Sequence, residues 1–220
     1  MDGFLVDLHC HTAERSEDAD APAVEILRAC VAAGLHGVVF TDHARTWPAD
    51  ELLALREEAQ LPDRFLLLAG QEIHTVGEDG LRVGDVLVFG PTEDLPEGSA
   101  PMRVIEAARA AGGFTIAAHL AATHAGMGKR LGDFPIPAAE VWNGRYGPRV
   151  AQRSEVLAHE FDVAMTGGSD AHRIEQAAGG ATIFPEMPRD FAHMAAMIHA
   201  GACEPWRPAP RGLLGRLLGR

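Results

Sequence analysis

Histidine and carboxylate side chains recur in pairs at the ends of apolar segments of this chain. His9 and His11 stand two residues apart after the apolar run 4–8, and Asp170 and His172 repeat that spacing near residue 168. A spacing of two places both side chains on the same face of an extended strand. Imidazole and carboxylate groups are ligands that suit Zn, Mn and Fe. Both pairs are therefore candidate metal ligands.

Three further apolar segments end in the same residue types, namely in Asp42-His43, in Glu72 and His74, and in His119. So many polar groups buried side by side would be costly without a compensating charge. Their number also exceeds what one tetrahedral ion can use, which predicts two or three divalent ions. Clustered ions acidify a bound water and stabilise both oxygens of a displacement, so this pattern favours a hydrolase.

Apolar runs alternate with helical patterns along the chain, and these elements must position the candidate ligands. The predicted strands cover residues 4–8, 37–41, 65–73, 85–89, 114–118, 139–142, 162–166 and 181–184. The predicted helices cover residues 22–33, 48–59, 101–111, 149–160 and 190–200. Such alternation predicts an α/β fold with a parallel sheet, either a closed barrel or a doubly wound sheet. The candidate ligands then meet at the C-terminal strand ends.

Composition and charge exclude several classes of protein. The formal net charge of −12 argues against a general nucleic-acid binder, whose surface should be basic. The three cysteines contain no CxxC pair, which favours a reducing compartment. No apolar run is long enough for a membrane span, and no secretory signal is evident. We expect a cytoplasmic protein with one domain over residues 1–205 and a flexible basic tail over 206–220.

Six motifs appear in the order and at the intervals of a known family: Asp7-Leu-His-Cys-His-Thr, Thr41-Asp-His, Gly70-Gln-Glu-Ile, Ala118-His, Glu140-Val-Trp-Asn-Gly and Gly168-Ser-Asp-Ala-His. Over residues 1 to about 185 the sequence resembles the polymerase and histidinol phosphatase (PHP) family of metal-dependent phosphoesterases. The resemblance implies a distorted (β/α)7 TIM-like barrel. It also implies two or three divalent ions (Zn, Mn or Fe) at the C-terminal ends of the strands.

The resemblance also implies roles for individual residues. Seven side chains would be metal ligands and form the catalytic site: His9, His11, His43, Glu72, His119, Asp170 and His172. Glu72 would bridge two ions. Asp18 matches an acidic family position and is a further candidate ligand, with Glu17 as its rival. Asp7 and Asp42 are expected to orient metal-bound imidazoles, as such ligands usually require.

Two positions depart from the family pattern. Many members have a histidine where this chain has Asp85, so Asp85 is either a ligand for a harder metal or an ordinary charge at a strand edge. The identity and occupancy of a third ion depend on that choice. His74 occupies a position where members often carry a small hydroxyl residue, and we expect it to orient a ligand or to face the substrate.

The predicted function is hydrolysis of a phosphomonoester of a small metabolite or nucleotide. Arginine binds phosphate oxygens bidentately, and Arg15 and Arg145 follow strand-end motifs, so both are candidate phosphate ligands. No membrane partner is expected, and nucleic acid is not expected beyond short oligonucleotides. Alternatives are an oligonucleotide exonuclease or phosphatase and a non-catalytic metal-binding module. An amidohydrolase is disfavoured because it normally needs a lysine on a central strand, whereas Lys129 falls in a predicted loop.

Overall fold

In the computed structural model, which describes residues 3–209, strands and helices alternate as the sequence predicts. The strands are β1 (Phe4–Asp7), β2 (Gly37–Phe40), β3 (Leu66–Ala69), β4 (Gln71–Val76), β5 (Arg82–Phe89), β6 (Phe114–Ala117), β7 (Ala138–Asn143), β8 (Ala164–Gly168), β9 (Ala181–Phe184) and β10 (Glu204–Trp206). The helices are α1 (Ala23–Ala32), α2 (Ala49–Ala59), α3 (Pro101–Ala110), α4 (Pro148–Glu160) and α5 (Phe191–His199). Each helix end lies within one residue of its predicted position.

The strands form two mixed sheets, and this confirms the α/β class. One sheet has the order β10-β9-β1-β2-β3 and the other the order β4-β5-β6-β7-β8. Strands β1, β2 and β3 are parallel, as are β6, β7 and β8, whereas β4, β5, β9 and β10 pair in antiparallel fashion. The parallel pairing expected from the sequence is therefore present in only part of each sheet. No ladder among the described strands closes them into a (β/α)7 barrel.

The predicted strand 65–73 is divided at Gly70. The segment before Gly70, β3, pairs with β2, and the segment after it, β4, pairs with β5 of the other sheet. A Cβ at Gly70 would lie 2.6 Å from the carbonyl oxygen of Val88, so the change of sheet requires a residue without a side chain. Strands β4 and β5 are antiparallel because residues 77–81 join them in a short hairpin.

Two isolated parallel bridges connect the two sheets. Cys10, beyond the end of β1, pairs with Ala171 beyond β8, and His43, beyond β2, pairs with Glu72 in β4. Both bridges involve or adjoin candidate ligands. The sheets are therefore held together at the place where those side chains meet.

The apolar core fills the space between the sheets and beneath the helices. Val39 of the first sheet packs in one cluster with Leu87 and Ile116 of the second, and α5 contributes Met194 and Ile198 to the same cluster. Separate clusters lie under α1 and α2 and under α3 and α4. These elements bury one stripe of each helix, as their apolar spacing predicts.

The C-terminal part of the described chain continues past the predicted domain boundary at residue 205. Trp206 is the last residue of β10 and pairs with Ala181 of β9. The Arg207 guanidinium stands 5.6 Å from the centre of the Trp142 ring. The rest of the predicted tail, 210–220, lies outside the described residues. Within residues 3–209, no helix has the length and apolar character to cross a membrane.

Replacing Gly113 with Ala tests the close approach of β5 and β6. The added Cβ would lie 1.9 Å from the carbonyl oxygen of Phe89, so a strand must move. We expect the free energy of unfolding to fall by about 2 kcal/mol or more in urea titrations. Gly147→Ala is the matched control, because a Cβ there meets nothing within 4 Å. An equal loss in both variants would contradict the close packing of these strands.

Candidate metal centre

His9 and His11 bring their ring nitrogens together in the interior of the site. The two Nε2 atoms are 3.1 Å apart. Each lies 3.3 Å from Oε2 of Glu72 and 3.6 Å from Oδ1 of Asp170. His9 and His11 are fully buried, and Glu72 and Asp170 are 2% exposed. Four donor atoms from three separate parts of the chain thus meet in a space closed to bulk water.

The orientation of both rings is set by hydrogen bonds on the far side of each imidazole. Nδ1 of His9 lies 3.1 Å from Oε2 of Glu140, and Nδ1 of His11 lies 3.2 Å from the hydroxyl of Ser16. The Ser16 hydroxyl in turn donates to Asp42 at 2.7 Å. These contacts leave Nε2 of each ring directed at the carboxylates. Metal-binding histidines are usually oriented in this way.

His119 extends the cluster toward β5. Its Nε2 lies 3.0 Å from Oε1 of Glu72 and 3.7 Å from Oδ2 of Asp85. Glu72 therefore faces imidazoles with both of its oxygens. Asp85 is 4% exposed, and its Oδ1 has no hydrogen-bond partner. The structure places Asp85 in the cluster. From the sequence, Asp85 was either a ligand or an ordinary charge at a strand edge.

A more exposed group of side chains extends the cluster toward solvent. Nε2 of His172 lies 3.0 Å from Asp18, and Nε2 of His43 lies 3.6 Å from the other oxygen of that carboxylate. His43 also approaches Glu72, with 3.4 Å between Nδ1 and Oε2. Asp18, rather than its rival Glu17, makes the contacts with the imidazoles. Nine candidate ligands thus form one continuous network.

The backbone is strained at two of these residues. His119 has a φ of 30° and Asp170 a φ of 52°, and each lies two residues beyond the end of a strand. Positive φ values are uncommon for residues other than glycine, and they concentrate at functional sites. The main chain is thus held in a costly conformation at the points where it presents two candidate ligands.

The charges in the cluster shift one another's pKa values. Burial alone would lower the pKa of His9, but the carboxylates of Glu140, Asp170 and Glu72 outweigh it and raise that pKa well above its usual value. Burial would raise the pKa of Glu72, but the neighbouring histidines hold it well below its usual value. Burial and the charge of Glu72 raise the pKa of Asp85 to about 6. The carboxylates therefore favour a positive charge at the centre of the cluster.

The donor set fits divalent cations. Two Nε2 atoms face each other among carboxylates, and a buried carboxylate oxygen of Asp85 has no donor. Four groups of three side chains could each hold an ion: His11, His43 and His172; His9, His119 and Asp170; His9, His11 and Glu72; and Glu72, Asp85 and His119. Such groups of imidazole and carboxylate suit Zn, Mn or Fe.

The side chains predicted to orient imidazoles behave differently from one another. Asp42 acts on His11 through the Ser16 hydroxyl, and it also accepts from the Trp47 indole at 2.9 Å. Within the described residues, Asp7 makes no hydrogen bond to an imidazole: its Oδ1 accepts from the backbone N–H groups of His9 and Ser169, and its Oδ2 has no partner. The expectation for Asp7 is therefore corrected: its carboxylate fixes the main chain beneath His9.

Of His74 and the two predicted arginines, two line a cavity of about 460 Å³ that opens onto the cluster. His74 and Arg145 line this cavity. Arg15 does not, and lines an adjoining cavity instead. Its guanidinium bonds to Glu51 at 2.6 Å and lies 4.5 Å from the centre of the Trp47 ring. Arg82, which the sequence analysis did not single out, lines the cavity of the cluster.

Sequence reasoning also missed the role of Glu140. Its carboxylate meets the His9 ring, accepts from the backbone N–H of His119 at 2.8 Å and accepts from the Asn143 amide at 2.9 Å. The same amide also donates to Asp170 at 3.0 Å. Glu140 and Asn143 belong to one of the six motifs, so the sequence did mark them as candidates. No feature of the neighbouring sequence indicated which residues they would contact.

Comparisons with known proteins found one family and several solved structures with a similar fold. The PHP-associated family matches residues 148–203. A candidate metal-dependent phosphoesterase from Bifidobacterium adolescentis is 21% identical with a TM-score of 0.58, over 76% of this chain and 87% of that one. A two-domain protein from Bacteroides vulgatus containing a predicted PHP-like metal-dependent phosphoesterase is 17% identical with a TM-score of 0.65, over 93% of this chain and 64% of that one. The resemblance to the PHP family is confirmed.

An amidohydrolase from Chromobacterium violaceum, solved with sulfate and no metal, has a similar fold. It is 16% identical with a TM-score of 0.62, over 93% of this chain and 98% of that one. None of the curated proteins matches the sequence. At these identities the solved structures establish a common fold.

Replacing Glu140 with Gln tests the support of the His9 ring. All three contacts of Glu140 are made as an acceptor, and a Gln amide would turn one of its atoms into a donor. We expect affinity for Mn or Zn, measured by chelator competition, to fall by about 10- to 100-fold. Glu155→Gln, at an exposed position on α4, is the matched control. Unchanged affinity would show that Glu140 does not support the ligands.

Replacing Asp7 with Asn tests the cost of burying that carboxyl. Burial raises the pKa of Asp7 from 3.8 to about 7, so the folded chain binds more protons than the unfolded chain between these values. Its contribution to the free energy of unfolding therefore falls as the pH rises through this range, by up to about 1.4 kcal/mol per pH unit. In the Asn variant of chelator-treated protein we expect this decrease to be absent.

The measurement is urea unfolding across that pH range, with Asp63→Asn as an exposed control. An Asn side chain can still accept the backbone N–H groups that Oδ1 now accepts. Parallel pH profiles for the wild type and Asp7→Asn would contradict a raised pKa at Asp7.

Proposed function

We propose that this protein is a metal-dependent phosphoesterase that hydrolyses a phosphomonoester of a small metabolite or nucleotide. The observation that carries the proposal is the convergence of seven side chains in one network of contacts: His9, His11, His43, Glu72, His119, Asp170 and His172. Asp18 and Asp85 complete the network. The confirmed resemblance to the PHP family supports the same reaction class.

Each part of the site has a proposed task. Two or three divalent ions (Zn, Mn or Fe) would acidify the attacking water and neutralise charge on the phosphoryl group. The seven side chains would hold those ions, and Glu140 and Ser16 keep two imidazoles in position. Arg145 lines the cavity, where its guanidinium can bind phosphate oxygens. Water supplies the new P–O bond, the ester P–O bond breaks, and the alcohol leaves with a proton.

The shape and charge of the cavity support a small substrate. About 460 Å³ is within the range of small-molecule sites. Five carboxylates line it, which would repel a polyanion wherever no metal offsets them. Among the described residues that line it, Tyr146 is the sole aromatic one apart from histidines, whereas a nucleic-acid track stacks bases on several aromatic rings. These features disfavour an exonuclease, and the complete ligand network disfavours a purely structural metal module.

The position of Lys129 gives no support to the remaining alternative, an amidohydrolase. Lys129 lies in the 3-10 helix Gly128–Asp133 and lines a different cavity, away from the cluster. The cysteines Cys10, Cys30 and Cys203 are buried and free, which supports the proposal of a cytoplasmic location.

Replacing His9 with Ala tests the proposed reaction. We expect hydrolysis of an aryl phosphate to fall by at least about 100-fold, because the variant loses a buried donor of the cluster. Asp170→Ala should act in the same way. His159→Ala, at an exposed position in α4, is the matched control and should retain the wild-type rate. Metal content by elemental analysis and turnover with and without chelator accompany each variant.

Two or three ions per chain with chelator-sensitive turnover would support the proposal. Wild-type rates in His9→Ala would refute the assigned site. A wild-type protein that holds metal but hydrolyses no phosphate ester, with Mn or Zn supplied, would favour the metal-binding module.

A further inference from the structure

Two guanidinium groups line the cavity of the cluster, and each is held by a cluster carboxylate. Arg145 donates from Nη1 to Asp170, at 3.3 Å. Arg82, the first residue of β5, contacts the Asp85 carboxylate through Nη2. The two arginines therefore reach the same cavity from two places, one beside Asp85 and one beside Asp170.

Arg82 is held in place but is not saturated. A guanidinium has five N–H groups in a planar fork, and within residues 3–209 the hydrogen bonds of this one go to Asp85 alone. The Arg82 side chain is 37% exposed, so its remaining donors can reach a ligand in the cavity. Its backbone carbonyl accepts from Arg130 at 2.8 Å, which fixes the main chain from which the side chain extends.

Arg15, the other arginine selected from the sequence, is engaged elsewhere. Its guanidinium pairs with Glu51 and stacks over Trp47, and it does not line the cavity of the cluster. Arg82 and Arg145 are the basic residues among the described side chains that line this cavity.

We propose that Arg82 binds terminal oxygens of the substrate's phosphoryl group from the Asp85 side of the cavity, while Arg145 binds from the Asp170 side. The Asp85 carboxylate holds one edge of the guanidinium and leaves the other donors for the ligand. Arginine is suited to such shared binding because its planar fork meets two acceptors at once. A phosphomonoester offers three terminal oxygens, so it can use both arginines. The identity of the ligand rests on the proposed phosphoesterase function.

The test is the affinity for inorganic phosphate, measured by titration calorimetry on protein reconstituted with Mn. The variants are Arg82→Gln and Arg82→Lys, and Arg64→Gln is the matched control because Arg64 is exposed and does not line the cavity. We expect Arg82→Gln to weaken phosphate binding by about 10- to 100-fold, since a hydrogen-bonded charge is lost. The affinity of Arg82→Lys should fall between those of Arg82→Gln and the wild type, and Arg64→Gln should match the wild type within about twofold.

Metal content and the thermal unfolding midpoint are measured for each variant. Weaker phosphate binding with unchanged metal content supports the inference. Equal phosphate affinities in Arg82→Gln and Arg64→Gln overturn it. A parallel loss of metal in both Arg82 variants also overturns it, because Arg82 would then act by holding Asp85. Turnover of an aryl phosphate is scored separately: wild-type protein that binds phosphate through Arg82 but hydrolyses no ester refutes the proposed function and leaves the binding site intact.

Discussion

The carboxylate of Glu140 is the contact on which the rest of the site depends. It meets the ring of His9, the main chain at His119 and the amide of Asn143, which lie in three separate parts of the chain. A buried carboxylate needs such donors, because burying the charge without them would cost several kcal/mol or more. The same contacts fix the direction of the His9 ring and the strained backbone at His119. One side chain thus links the packing of β7 to the arrangement of the candidate ligands.

The architecture of two sheets explains why the cluster forms where it does. Two isolated bridges join the sheets, one between Cys10 and Ala171 and one between His43 and Glu72. Neither sheet alone therefore assembles the ligands. Interior apolar side chains from both sheets pack together and hold these edges close. Assembly of the polar site is therefore coupled to formation of the core. Loss of packing between the sheets would separate donors that lie within 3.6 Å of one another.

The side chains that line the cavity carry an excess of negative charge. The carboxylates outnumber the guanidinium groups of Arg82 and Arg145, and both arginines are held by carboxylates of the cluster. Anionic ligands would be repelled by this lining in the absence of cations, and divalent ions would invert the local field. This dependence joins the two proposals, in which ligand binding at the arginines and metal binding at the histidines would serve the same phosphoryl group.

The sequence by itself determined the residue types, their spacing and the elements that carry them. Helix positions were predicted to within one residue at each end, and the pairs His9/His11 and Asp170/His172 followed from the two-residue period of an extended chain. Only the tertiary structure decided the pairing of strands, the division at Gly70, the contact of Glu140 with His9 and the replacement of Arg15 by Arg82 at the cavity. Helical and strand periods are set by residues close in sequence, whereas Glu140 and His9 are 131 residues apart. Contacts of that kind depend on the direction and register of strands, which the packing of the whole chain determines.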